Sequence, residues 1–144
     1  MATVQDILNR KGGEVHSIEA HCLVLDAATR MNELGVGGLI VVEGEMAIGM
    51  FTERDILRRV VAAKLDPATT PVSKVMTSPI AVCRPDTNVE ECRDVMTARK
   101  IRHLPVVDQK QLRGIVTIGD ILAHEIGEHK ATIEYLNSYV FYQR

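Results

Sequence analysis

Apolar and polar positions alternate along this chain in two rhythms, and both rhythms occur twice. Val24, Ala27, Ala28, Met31 and Leu34 recur at intervals of three and four, which predicts an amphipathic helix. The runs "GLIVV" and "AIGMF" that follow are separated by the polar "EGEM", which predicts two strands and a turn. A last apolar run begins "TERDIL", and Thr-x-x-Asp ahead of apolar residues is a helix start. Before all of these, "EVHSI" predicts a short strand and "VQDIL" a helical turn. Thr3 is placed to cap that turn, with Asp6 at the reciprocal position.

The series then returns as "VSKVM", "PIAVC", a helix carrying Val89, Cys92, Val95 and Met96, "HLPVV-DQKQ-LRGIV" and "TIGDIL". An offset of 65 aligns Val24 with Val89, Met31 with Met96, Leu39 with Leu104, Gly49 with Gly114, and Thr52 and Asp55 with Thr117 and Asp120. Roughly ten of about forty positions are identical across this window, without a gap. The leading turns correspond at an offset of 68, so the first copy carries about three extra residues in "NRKGGE".

Two long copies make a pseudo-symmetric pair, since a solenoid needs several shorter repeats. Each copy reads β-α-β-β-α after its leading turn. The fold class is α/β (α+β), two such units packed sheet to sheet, with a C-terminal helix. The first unit spans 1–65, the linker 66–71 and the second unit 72–127. In the tail 128–144, Ile133, Leu136 and Val140 with Tyr135 and Tyr139 predict a helix packed on the module or on a second chain. Units of this size are marginal alone, so burying both sheet faces together is the expected source of stability.

Charge and composition narrow the function. A net charge of −2 leaves no basic excess for a general nucleic-acid surface, and 3% aromatics without Trp disfavour base-stacking sheets. Three cysteines without C-x-x-C argue against a disulfide scaffold or a zinc ribbon and fit a reducing compartment. Cys22, Cys83 and Cys92 are expected to be buried apolar fillers. The N-terminus lacks the apolar core of a signal peptide, and Glu43 and Glu45 interrupt the longest apolar stretch, so a cytoplasmic protein without a membrane span is expected. "GVGG" lacks the Lys-Ser or Lys-Thr of a phosphate loop and precedes a strand. His124 and His129 in "HEIGEH" are five apart, not four, so they do not share one helical face as a zinc pair would. No acid–base pair or nucleophile constellation stands out, and no enzyme is expected.

The two Thr-x-x-Asp starts have two readings. In one, the Thr hydroxyl caps a helix and Asp favours its positive end, worth about 1 kcal/mol. In the other, a carboxylate accepts from the hydroxyls of a ribose diol while Thr and free N–H groups suit a phosphate oxygen.

The run "KIRHLPVVD…LRGIVTIGDIL", with the looser "GVGGLIVVEGEMAIGMFTERDIL", resembles the cystathionine-β-synthase (CBS) domain, here as a tandem pair from about Val4 to Ile126. The resemblance implies two clefts about a pseudo-twofold axis. Such clefts hold adenosine ligands such as AMP, ADP, ATP, NAD(H) or S-adenosylmethionine. It implies regulation rather than catalysis, and a homodimer. It places one adenine pocket at Ile80, Ala81 and Val82 with Pro105, and its counterpart at Val15, His16 and Ser17 with Ile40.

Arg102 and His103 are candidates for phosphate contact, and the alternative is a solvated basic turn. The first copy has Gly37 and Gly38 there, so the sites are expected to be unequal. Arg54 could compensate in the first copy, or the smaller lining could admit the second half of a dinucleotide. Thr117 and Asp120 are the leading ribose and phosphate candidates, and Thr52 and Asp55 come second. The rival reading is a homodimeric interaction module that holds no ligand and docks an unidentified regulated protein.

Overall fold

The computed structural model describes residues 1–126. The tail 128–144 and His129 lie outside the described residues. Helix α1 spans Val4–Lys11 and opens on the expected capping box, with the Thr3 amide donating to Asp6 Oδ2 at 2.9 Å. Strand β1 (Ser17–Glu19), helix α2 (Val24–Leu34) and strands β2 (Gly38–Glu43) and β3 (Met46–Thr52) follow. Helix α3 (Glu53–Asp55) runs on as a π-helical stretch, Ile56–Val61. The second copy contributes α4 (Val72–Val75), α5 (Val89–Arg99), β4 (His103–Asp108), β5 (Gln111–Thr117) and α6 (Ile118–Ile126).

The repeat is carried into the register. Val41 pairs with Gly49 and Val106 with Gly114, and both hairpins shift register at the next residue, Val42 and Val107. The copies differ at the first strand. In the first copy β1 runs parallel to β2, with the Ile40 amide donating to the His16 carbonyl at 3.1 Å. The expected second-copy strand "PIAVC" is only a single bridge between Cys83 and Val106. The cause is local: Pro105 occupies the place of Ile40 and has no N–H to give the Ala81 carbonyl.

The leading helices exchange partners. Val4, Ile7 and Leu8 of α1 join the core of the second copy with Val89, Met96, Leu104 and Ile121. Val72 and Val75 of α4 join the core of the first with Val24, Met31, Leu39 and Phe51. Gly49 and Gly114 recur because those exchanged segments press on them. A Cβ at Gly49 would lie 2.6 Å from Met76 Sδ, and one at Gly114 would lie 2.7 Å from Leu8 Cδ2. Strand β3 lies against β5, which brings the two sheets together, and the amide of Met50 donates to the carbonyl of Thr77 at 2.9 Å. Burying both cores and the contact between them makes the halves one unit.

Candidate functional site

An opening lies between the copies. One section, of about 460 Å³, is lined by Thr52, Asp55, Thr77 and Gly37, and by the cations Arg54, Arg58, Arg59, Arg99, Lys100 and Arg102. An adjoining section of about 340 Å³ is more apolar and is lined by Met50, Pro79, Ile80, Ala81, Ile101 and Pro105. Thr77, Arg99, Ile101, Arg102 and His103 border both sections, so they form one continuous cleft.

This grouping crosses the repeat. The second-copy residues Ile80, Ala81, Arg102, His103 and Pro105 share their cleft with Thr52 and Asp55 of the first copy, not with Thr117 and Asp120. Residues of both copies therefore line one cleft. The exchange of α1 and α4 brings the copies face to face at this point, so the N-terminus of α3 meets the strand entry of β4. Val82 turns the other way. It is half-exposed and lines a separate groove with Met46 and Leu112.

The two Asp residues are in different states. Asp55 is only 4% exposed. Its Oδ2 accepts from the Thr52 amide at 3.0 Å and hydroxyl at 3.3 Å, and its Oδ1 accepts from the Thr77 hydroxyl at 3.0 Å. Arg59 Nε stands 3.8 Å from Oδ1 and its Nη1 donates to the Met76 carbonyl at 2.8 Å. Asp120 accepts from the Thr117 amide at 2.8 Å, and Lys11 of the exchanged α1 pairs with the same oxygen at 2.7 Å. Capping is thus present at both starts, and in both the Asp takes part by accepting from the Thr amide.

At the counterpart position in the first copy the backbone edge is paired. The His16 carbonyl is committed to Ile40, Ile40 is fully buried, and Ser17 pairs within β1–β2. Val15 is half-buried. Among the described residues, Lys11 and Asp120 border a small cavity of about 100 Å³ with Ile7, Arg10 and His124. In the open cleft, by contrast, neither the N–H nor the C=O of Ala81 has a hydrogen-bond partner among the described residues. An unpaired backbone donor and acceptor beside apolar walls are ready for a planar ligand with the complementary edge.

His103 sits where the two sections meet. Burial, reinforced by the neighbouring Arg102 guanidinium, holds its pKa below the ordinary histidine value against the opposing pull of Asp120 and Glu53. Cys83 and Cys92 are buried in the second core as expected, whereas Cys22 is only half-buried. The Cys83 thiol is pushed up by its hydrogen bond with Cys92 and by burial, so it stays protonated. Among the described residues no group of three or more His, Cys, Asp or Glu is arranged to hold a metal ion.

Thr77, Arg58, Arg99 and Lys100 were not singled out from the sequence. The basic runs "RDILRR" and "ARKIRH" were the available signal for the cations. Thr77 carried none, since it precedes a strand that does not form.

The sequence model of the CBS domain matches residues 4–62 and 72–127. The chain is 34% identical to the CBS domain-containing protein YhcV of Bacillus subtilis (strain 168) over 131 residues, covering 91% of each chain. A solved protein with CBS domains from Burkholderia ambifaria MC40-6 superposes with a TM-score of 0.86 at 34% identity, over 90% of this chain and 97% of that one. CBSX2, solved in complex with AMP, superposes with a TM-score of 0.74 at 26% identity, over 90% of this chain and all of that one. Among the described residues no helix is long and apolar enough to cross a membrane.

Proposed function

The chain belongs to the CBS-domain family as a tandem pair, and on that premise we propose that it is a regulatory module binding one adenosine nucleotide per chain in the cleft between its copies. The observation that carries this reading is the free backbone edge of Ala81 opposite Pro105, next to a cluster of cations. Adenine presents an acceptor and an N–H donor side by side. Ala81 supplies the matching N–H and C=O, with Ile80 and Pro105 as apolar walls. Arg99, Arg102 and His103 meet the first phosphate. The AMP bound to CBSX2 supports the ligand class.

Ribose contact has a specific consequence. Asp55 holds the Thr77 hydroxyl at 3.0 Å, and a sugar hydroxyl can take that place like for like. Thr77 also pairs its backbone with Met50 of β3, so its release loosens a tie between the copies. That is a difference between free and bound states through which a ligand can shift a population. A second copy of the chain docks at Leu57, Val61 and Leu122, exposed by 62%, 63% and 50%, where the repeat presents leucine at equivalent positions. The module carries out no chemistry of its own, and an unidentified protein reads its state.

The test is thermal shift with AMP, ADP, ATP, NADH and S-adenosylmethionine. NADH belongs in the set because Gly37 leaves room at the phosphate end. A ligand at 100 times its Kd stabilises by about 2.7 kcal/mol. The phosphate-bearing ligands are expected to shift the wild type, and the Arg102→Ala variant much less. No shift with any of the five leaves the ligand-free docking module as the function.

A further inference from the structure

The cations of the cleft are spread along its length. Arg99 and Arg102 border both the apolar section and the polar one, whereas Arg58 and Lys100 border only the polar end. Arg59 is engaged by Asp55 and the Met76 carbonyl, and Arg54 reaches the Lys100 carbonyl at 3.4 Å. Arg58, Arg99, Lys100 and Arg102 form no ion pair among the described residues. Arg54 forms none either, so a chain with net charge −2 gathers, among its described residues, five cations without an ion pair along one cleft, beside the single free carboxylate of Glu53. Like charges held close favour a ligand that brings several negative charges in a row.

A single phosphate next to the adenine section meets Arg99 and Arg102 and leaves Arg58 and Lys100 unanswered. A longer phosphate chain continues past them. A divalent ion on that chain would cancel part of the charge the cleft attracts, and it would need oxygen ligands. The cleft offers few: Asp55 Oδ2 is held by Thr52, its Oδ1 is the position given to the ribose, and Glu53 is the one other carboxylate in the lining among the described residues.

We propose that the cleft selects an adenosine polyphosphate free of its divalent ion over the monophosphate, with Arg58 and Lys100 reading the outer phosphates. This rests on the adenosine reading above and adds the phosphate chain and its metal state.

Calorimetric titration with ATP, AMP and inorganic tripolyphosphate in EDTA, then with ATP in excess Mg²⁺, tests it. ATP is expected to bind about tenfold or more tightly than AMP, and tripolyphosphate more weakly than ATP. Excess Mg²⁺ is expected to weaken ATP binding several-fold. In the double variant Arg58→Gln/Lys100→Gln, both positions being exposed, the ATP-to-AMP affinity ratio is expected to fall to within about threefold. AMP binding as tightly as ATP, tighter binding of the Mg²⁺ complex, or a ratio that survives the double variant would each overturn the proposal. Tripolyphosphate matching ATP would remove the base from the site. Binding by neither AMP nor ATP would sink the adenosine reading itself and this proposal with it.

Discussion

Replacing Pro105 with isoleucine converts the open adenine edge into the closed one already present in the other copy. Ile40 is the template: its amide donates to the His16 carbonyl at 3.1 Å, and its side chain is fully buried. Isoleucine at 105 restores the missing N–H opposite the Ala81 carbonyl and draws residues 80–82 toward a strand. The base then loses one hydrogen bond of about 1 kcal/mol. Closing the apolar section, which holds about 340 Å³, adds to that loss. Together these predict nucleotide affinity weakened about tenfold or more.

The fold should tolerate the change. One backbone bond of about 1 kcal/mol is gained, and proline's restriction of the unfolded chain, about 0.4–1 kcal/mol, is given up. The melting temperature without ligand is therefore expected within about 5 °C of wild type. Calorimetric titration with ATP and a melting scan on both proteins read the two effects separately. An unchanged Kd in a Pro105→Ile protein that melts like wild type would refute the role given to the Ala81 edge.

The two Asp residues predict unequal costs. Asp55→Ala removes a buried carboxylate with three donors and is expected to destabilise by about 2–3 kcal/mol, and Asp120→Ala by about 1 kcal/mol, read by urea denaturation. Equal losses would contradict that ordering. His103, held below its ordinary pKa, contributes stability that is present above about pH 6.5 and lost as pH falls through its folded pKa. Melting scans should show this slope flattened in His103→Gln. A phosphate beside His103 favours the imidazolium, so wild-type nucleotide affinity should rise below about pH 7, and an equal rise in His103→Gln would contradict the contact. Leu57→Glu/Leu122→Glu is expected to leave a monomer in analytical ultracentrifugation, whereas an unaltered dimer would place the interface elsewhere.

Much of the fold could be read directly from spacing. The offset of 65 anticipated both hairpins, and the Val24 and Val89 helices bury the positions their period indicates. The turn in "DQKQ" forms with positive φ at both Gln109 and Lys110, as a tight hairpin requires. What could not be read lies in tertiary exchange. Nothing in "VQDIL" says that α1 enters the core of the second copy, or that its Lys11 reaches Asp120. Sequence register sorts residues by copy, and the packing that brings Thr52 and Asp55 to Arg102 and His103 is not written in it. "PIAVC" has strand composition, yet pairing depends on the partner's N–H, and Pro105 lies some twenty residues away. The difference between Ile40 and Pro105 was visible from the first alignment. Its meaning needed the register.

The most direct measurement is a crystal structure of the chain grown with ATP in EDTA. One nucleotide per chain is expected. Its base should pair with the N–H and C=O of Ala81 beside Pro105, and its phosphates should lie along Arg99 and Arg102 toward Arg58. Nucleotide density beside Asp120 with Lys11 displaced, or an Ala81 edge left empty under saturating ATP, would contradict it.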